Sequence, residues 1–491
     1  LAAFCSERYE MNRFAANDGM NYELDTTIGA CATPPGQSGL AVIRISGPAA
    51  FYAAKQLFKP LSERFEPIDK MAGYTCAPGY WMNEPELNGK AIRLDQVILT
   101  KYIGPHSFTG EDTLEIACHG GTAIKQAILD SVFRLGIRPA GPGEFTRRAF
   151  LNGKLDLAQA EAVMDLISSE AKLQAVAALN QLRGAVSEKV AKARGEIYDL
   201  LARTELILEY PEHEESPDNI DSLKQNIELV CNSIRSLSDT YRQGRLIREG
   251  LTVVIAGKPN AGKSSLMNML AGYERAIVTE IPGTTRDTVT ETIDIDGLPV
   301  HLVDTAGLRE SSDPVEVMGV SRARQAMETS DLLIWLVSPP LVEHDPELES
   351  IREAVESDLP LLLVCGKDDL GESHQISSLL EEKFPELGVI AFSAITGEGL
   401  AKIRQAIHDK YESSGNVQSE SVLLTNIRHR EAALRAAEHL EQAVAALDSG
   451  LTLDLTAMLL RAGAESLAEI TGDSVSEEVV QTIFSRFCIG K

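Results

Sequence analysis

Gly257-Lys258-Pro259-Asn260-Ala261-Gly262-Lys263-Ser264 fits the spacing G-x-x-x-x-G-K-[ST]. Backbone N–H groups of such a loop face phosphates, and the N-terminus of the following helix adds a favourable dipole. Lys263 would neutralise the β/γ-phosphates and the Ser264 hydroxyl would hold Mg²⁺. Four more segments follow in order: Gly283-Thr284-Thr285, Asp304-Thr305-Ala306-Gly307, Gly366-Lys367-Asp368-Asp369 and Ser393-Ala394-Ile395. Thr285 is placed to complete the metal shell when a γ-phosphate is present, and Asp304 to hold Mg²⁺ through water. The Asp369 carboxylate can accept both N–H donors on the Watson–Crick edge of guanine, which adenine lacks. The chemistry expected is that of a guanine-nucleotide hydrolase or switch.

Two positions depart from the usual pattern. Gly366 stands where Asn normally precedes Lys-x-Asp, a lost hydrogen bond worth roughly 0.5–1.5 kcal/mol, so looser nucleotide binding is expected without altered specificity. Leu308 stands directly after Asp-x-x-Gly, where Ras-type switches carry a water-orienting Gln. Leucine can neither donate nor accept, so hydrolysis needs another group. The nearby acids are Glu310, Asp313 and Glu316, most of which would serve equally well as solvated loop charges.

Local patterning positions these segments. Leu251 to Ala256 reads as a buried strand and Ser264 to Leu270 as the opening of a helix. Thr288 to Val303 reads as two antiparallel strands joined at Asp296-Gly297. Upstream, residues 24 to about 150 mix short strands such as Leu40 to Ile45 and Gln96 to Tyr102 with turn signals at Pro34-Pro35-Gly36 and Gly141-Pro142-Gly143. Leu155 to Leu208 and a second stretch ending near Arg248 are helical in pattern, as is Thr425 to Phe487 beyond a Ser/Gly/Asn linker. The expected organisation is a disordered extension (1–23), an N-terminal α+β domain (24–152), a helical domain in two pieces (153–249 and 416–491), and an inserted P-loop, Ras-like α/β domain (250–415). Two separate helical domains are the alternative.

At 491 residues the chain calls for roughly two to four domains. No apolar run approaches the ~20 residues of a membrane span. The N-terminal stretch has neither a secretory signal nor an Arg-rich transit pattern, and Met11 and Met20 are candidate starts. Seven cysteines without a C-x-x-C pair suit a reducing cytosol and argue against a disulfide framework or zinc site. A formal charge of −26 means that any nucleic-acid contact must be local, weak or shared with a more basic partner.

The phosphate loop, Ile277 to Asp287, Asp304 to Arg309 and the terminal Phe487-Cys488-Ile489-Gly490-Lys491 together resemble the MnmE (TrmE) family of tRNA-modification GTPases. The likeness extends to Ala32 to Gly36, Ile43 to Gly47, Phe108 to Asp112, His119 to Gly121, Pro142 to Phe145 and Leu155 to Ala160, and so covers nearly everything from residue 24 on. It implies an N-terminal folate-binding domain that dimerises, and a potassium-dependent GTPase. It also implies a heterotetramer with the flavoprotein MnmG (GidA), on which the FAD resides. Such proteins place an aminomethyl or carboxymethylaminomethyl group on wobble uridine 34 of certain tRNAs, using a one-carbon unit from 5-formyl- or methylene-tetrahydrofolate. The location implied is cytoplasmic.

On this resemblance the nucleotide is contacted by Asn260, Ala261, Gly262, Lys263, Ser264 and Ser265, then by Thr279, Glu280, Ile281, Pro282, Gly283, Thr284 and Thr285. Asp304, Thr305, Ala306, Gly307, Lys367, Asp369, Ser393, Ala394 and Ile395 complete the set, with Mg²⁺ on Ser264 and Thr285. Asn260, Thr279, Ile281 and Thr284 would ligate K⁺, supplying the charge an arginine finger gives elsewhere. Glu316 matches the family's water-orienting acid. Arg44, Glu115, Lys154 and Lys491 match its folate contacts, cations for the glutamate tail and a carboxylate for pterin N–H donors; each could otherwise be an ordinary surface charge.

Cys488 lies beside Arg486 and Lys491, which would favour a thiolate, and the resemblance places the tail near the folate site. A catalytic role in modification is expected, against the alternative of a small buried hydrophobe. Gly490 and Lys491 argue against prenylation of the Cys-Ile-Gly-Lys end. Two other functions compete: a ribosome-assembly switch of the Era or Der kind, though no G-x-x-G loop flanked by basic residues is found, and a folate-dependent aminomethyltransferase with an appended regulatory GTPase.

Overall fold

A computed structural model describes residues 26–83, 91–209, 217–273, 290–304, 327, 330–357, 359–371, 373–412 and 422–490. They divide into two compact units, one running to Ala160 and including Val475 onward, the other running from Glu161 to Ser474.

The first unit is an α+β layer. Strands β1 (Ile28–Cys31), β2 (Leu40–Ser46), β3 (Phe58–Pro60), β4 (Thr75–Met82), β5 (Arg93–Tyr102), β6 (Thr113–His119) and β7 (Arg138–Pro139) form one sheet in the order β3-β4-β5-β6-β2-β1-β7. Helices α1 (Ala50–Leu57) and α2 (Thr122–Arg134) cover one face. Alternation along the strands sends Ile43, Ile45, Leu99, Leu114 and Ile116 into that core, fully buried. The same alternation turns Arg44, Tyr102 and Glu115 to the opposite face. Helices α3 (Glu144–Leu151) and α4 (Leu157–Ile167) follow, and the chain passes to the second unit within α4.

In the second unit α5 (Lys172–Leu182), α6 (Ala185–Glu209), α7 (Pro217–Asp239) and α8 (Tyr241–Glu249) lead into the nucleotide module. Its strands are β8 (Leu251–Ala256), β9 (Thr290–Ile295), β10 (Leu298–Asp304), β11 (Leu332–Val337), β12 (Leu361–Cys365) and β13 (Val389–Ala391), ordered β13-β12-β11-β8-β10-β9. Only β9 pairs antiparallel, with β10, among these strands. The apolar strands are buried on both faces by α9 (Lys263–Tyr273), α10 (Pro346–Glu356), α11 (Ser373–Lys383) and α12 (Leu400–Glu412). The β9–β10 hairpin turns at Asp296-Gly297, both with positive φ (53° and 89°), as its sequence predicts. Beyond the module, α13 (Ile427–Asp448) packs on α14 (Leu453–Thr471) and α7, and α14 packs on α6. Helices from both sides of the insertion thus share contacts through buried Ala and Leu side chains.

Residues from Val475 onward, grouped by the sequence reading with the helical section, make their contacts in the first unit. The reason is apolar: Phe484 packs 6.3 Å from Phe150 and 5.1 Å from Phe487, ring centre to ring centre, and Phe484 and Phe487 are buried. Arg147 adds an ion pair with Glu477 at 3.1 Å. Among the described residues no helix is long and apolar enough to cross a membrane.

Candidate nucleotide and N-terminal sites

The phosphate loop joins the buried end of β8 to the first turn of α9. Gly257 has φ +140° and lies so close to β11 that a Cβ would fall 2.2 Å from the Leu336 carbonyl oxygen, so only glycine fits. Asn260 sits at φ +62°, a left-handed position that asparagine tolerates. Lys263 is buried, its Nζ donating to the carbonyls of Gly257 (3.0 Å) and Lys258 (2.9 Å). The ammonium is thereby held at the loop, where phosphate oxygens would take over those bonds. Ser264 Oγ donates to Asp304 Oδ2 at 3.0 Å, bringing together the ends of α9 and β10. A hydroxyl beside a carboxylate is hard-oxygen chemistry that suits Mg²⁺.

Lys258 supplies an anchor that sequence reasoning missed. Its Nζ lies 2.5 Å from Asp345 Oδ2 and 3.6 Å from Glu347 Oε2, and its backbone N–H donates to Glu347 Oε1 at 3.3 Å. Asp345 also caps α10 by accepting from Glu347 N at 2.9 Å. Asp345 raises Lys258 above the ordinary lysine range, and Lys258 in turn lowers Asp345. Proline after an Asp at a helix start is the one local signal that marked Asp345 as a cap.

The candidate base-recognition loop is held by a serine hydroxyl. Ser393, nearly fully buried, accepts at Oγ from the N–H groups of Ile395 and Thr396 (3.2 Å each) and donates to Asp369 Oδ1 at 2.8 Å. Asp369 is exposed, with one oxygen fixed by that hydroxyl, while Ile395 is 82% exposed at the rim. Lys367 takes a left-handed φ of 59° ahead of the short turn Asp368–Leu370. At Gly366 an added Cβ would lie 3.2 Å from a Leu336 methyl and 3.4 Å from the carbonyl oxygen of Ala261. An Asn side chain there would begin beside the phosphate loop, and glycine forgoes that link.

Thr279, Glu280, Ile281, Pro282, Gly283, Thr284 and Thr285 lie outside the described residues, as do Thr305, Ala306, Gly307, Leu308, Glu310, Asp313, Glu316 and Lys491. Of the K⁺ candidates, Asn260 is the described one.

In the N-terminal unit Arg44 and Glu115 are direct cross-strand neighbours on β2 and β6. Arg44 Nε and Nη2 both donate to Glu115 Oε1, at 2.9 and 2.7 Å. Tyr102 OH donates to Glu115 Oε2 at 3.2 Å, and burial followed by the Glu115 charge raises the phenol above its ordinary range. The guanidinium sits over the rings of Phe108 (5.2 Å) and Phe145 (5.6 Å). These aromatic partners belong to segments the sequence singled out without giving them a role. Lys154 is exposed, its Nζ donating to Pro105 O at 3.1 Å on the loop that carries Phe108. Cys488 is exposed rather than packed. Its carbonyl accepts from Gly143 N at 3.3 Å and Ile489 bridges Pro142, so the tail runs beside the turn before α3.

A phosphate loop on a mostly parallel sheet, a serine bonded to an aspartate beside it and a second aspartate fixed by a serine hydroxyl are the frame of a P-loop GTPase. Residues 27–154 match the family described as GTP-binding protein TrmE N-terminus, and residues 157–488 match the MnmE helical domain family. The protein named tRNA modification GTPase MnmE in Acetivibrio thermocellus is 39% identical over 469 residues, spanning 95% of this chain and 99% of that one. Its namesake in Alkaliphilus metalliredigens is 40% identical over 469 residues, spanning 95% and 100%. This chain belongs to the MnmE family.

Proposed function

We propose that the chain is a potassium-activated GTPase of tRNA modification. Acting with an FAD-dependent MnmG-type partner, it forms the 5-carboxymethylaminomethyl or aminomethyl group on wobble uridine 34 of certain tRNAs, drawing the one-carbon unit from a tetrahydrofolate. In this reading Mg²⁺ is held by Ser264 and Thr285, and K⁺ by Asn260, Thr279, Ile281 and Thr284, with Glu316 orienting the attacking water in place of the absent Gln. Arg44, Glu115, Lys154 and Lys491 receive the folate, and Cys488 serves the modification chemistry. The protein works as a cytoplasmic homodimer, with 24–152 as its folate-binding domain, 153–249 and the section from 416 as its helical domain, whose end from Val475 onward joins the first unit, and 250–415 as its GTPase domain.

The observation that carries the reading is the length of the likeness: the relatives named as tRNA modification GTPases match from the N-terminal sheet through the nucleotide module to the helical end. The Arg44–Glu115–Tyr102 chain supports the folate part, since it presents a guanidinium and a carboxylate together on one sheet face. Ser264, Asp304, Asp369 and Ser393 support the GTP part. The test is mass spectrometry of tRNA from a strain lacking the gene. Loss of the modified wobble uridine, restored by the wild-type chain, is expected; unchanged tRNA overturns the reading. Phosphate release faster in K⁺ than in Na⁺ buffer is expected alongside, and equal rates would remove the cation ligands from the proposal.

A further inference from the structure

The nucleotide module leaves the helical section at the end of α8 and returns just before α13. The two crossings run side by side. Gly244 on α8 lies so close to the returning segment that a Cβ would fall 2.2 Å from Leu424 O, and Leu424 N donates to Thr240 Oγ1 at 3.0 Å.

One helix holds both crossings. Glu161 and Asp165 lie one turn apart on α4 and share a face. Asp165 takes the outgoing chain: its Oδ1 accepts from Arg248 Nε at 2.8 Å, one residue before α8 ends. The Arg248 carbonyl is itself fixed by Gln174 Nε2 at 2.9 Å. Glu161 takes the returning chain. Its Oε1 accepts from Asn426 Nδ2 and Arg428 Nε at 3.1 Å each, while Oε2 accepts from Arg428 Nη2 at 2.9 Å and lies 2.7 Å from His429 Nε2. Arg428 also reaches the carbonyls of Glu469 and, at 3.2 Å, Ile470 on α14.

Glu161 and His429 are buried, at 7% and 0% exposure, and Asp165 and Arg248 are half-buried. Burial resists ionisation of Glu161, but His429 and Arg428 outweigh it and hold the carboxyl at about 2. At Asp165 burial outweighs Arg248 and the carboxyl is raised. Removing one partner of the buried Glu161–His429 pair strands the other, so that contact resists sliding more than an apolar contact would. On the module side, His301 of β10 donates from Nε2 to the carbonyl of Glu249 at 2.8 Å, next to Arg248. That strand ends at Asp304.

We propose that Glu161 and Asp165 are positioning residues, a two-pin clamp through which α4 registers displacement of β10 during the nucleotide cycle by way of His301, Glu249 and Arg248. The proposal rests on the GTPase part of the reading above and on no other part of it. It passes through a short run of named contacts, and a demonstrated response at α4 is what turns adjacency into coupling.

Amide hydrogen exchange on the full chain tests this, comparing GDP with GDP plus aluminium fluoride in Mg²⁺ and K⁺. Exchange in α4 should differ by about fivefold or more between the two states, alongside the phosphate loop, the lower end of what site-to-site coupling gives. Asp165→Asn should abolish the α4 difference and spare that of the phosphate loop, while Asp165→Glu, which keeps the charge, should retain both. Should Asp165→Asn not fold, Arg248→Gln, which leaves the α4 carboxylates in place, carries the same expectation. An α4 that ignores nucleotide state in the wild type, or that responds equally in Asp165→Asn or Arg248→Gln, overturns the clamp. No tRNA enters the measurement, so unmodified wobble uridine with an intact clamp response would refute only the modification reading.

Discussion

Among the described residues of the nucleotide module the candidate contacts come from short segments, each at the end of a strand, and backbone geometry does most of the placing. In the N-terminal unit Arg44 and Glu115 are 71 residues apart and meet only because β2 and β6 are paired in one register. The first kind of site is written in local spacing. The second depends on tertiary pairing, so its chemistry is distributed over residues that look ordinary one at a time. The lesson is that sites of equal chemical definition can differ greatly in how visible they are along a chain.

Mutations can break that contrast or sharpen it. The largest effect is expected away from the nucleotide module: Cys488→Ser should abolish the wobble-uridine product while leaving potassium-stimulated GTP turnover intact. Mass spectrometry of tRNA with a phosphate-release assay measures both, and full modification by the Ser variant would remove Cys488 from the chemistry. Glu316→Ala should lower kcat by about 10²-fold with GTP affinity nearly unchanged, the size expected for losing a water-orienting or general acid–base group. A larger defect in Glu310→Ala or Asp313→Ala, assayed in parallel, would move that assignment.

Asp369→Asn should weaken guanine nucleotides by roughly tenfold or more and favour xanthine nucleotides, because an amide can donate to the xanthine O2. Competition binding decides it. Glu115→Gln should weaken 5-formyl-tetrahydrofolate by about tenfold, the worth of one charge-assisted hydrogen bond, at unchanged GTP turnover. Equal folate affinity in calorimetry would reduce the Arg44–Glu115 pair to sheet packing. The smallest effect is expected from Gly366→Asn, a GDP affinity gain of roughly two- to tenfold from one added neutral hydrogen bond near Ala261. No gain would mean that the loop already compensates for the missing side chain.

Much of the module was legible because its signals are local. Asp296-Gly297 announces a hairpin turn by residue type alone, and the observed φ values follow. Ser393 was placed by its motif, though its bond to Asp369 spans 24 residues. The Lys258 anchor was not foreseen, since Asp345 and Glu347 reach it across nearly ninety residues, separations of 87 and 89. The resemblance named Arg44 and Glu115 as separate folate contacts, while their pairing, Tyr102 and the rings of Phe108 and Phe145 required the sheet to be built. Alternation on β2, β5 and β6 tells which residues share a face, but strand order decides which of them touch.

The bridge between Pro142 and Ile489 has a consequence for how the chain is made. Arg147 and its partner Glu477 are 330 residues apart, and a ribosome moving at roughly 5–20 residues per second takes on the order of tens of seconds to cover that distance. The N-terminal sheet therefore emerges long before the segment that completes it, standing meanwhile with the turn at Gly143 and the flank of α3 uncovered. A fusion placed behind Ile489 would act on the turn before α3, a part of the protein translated well before it.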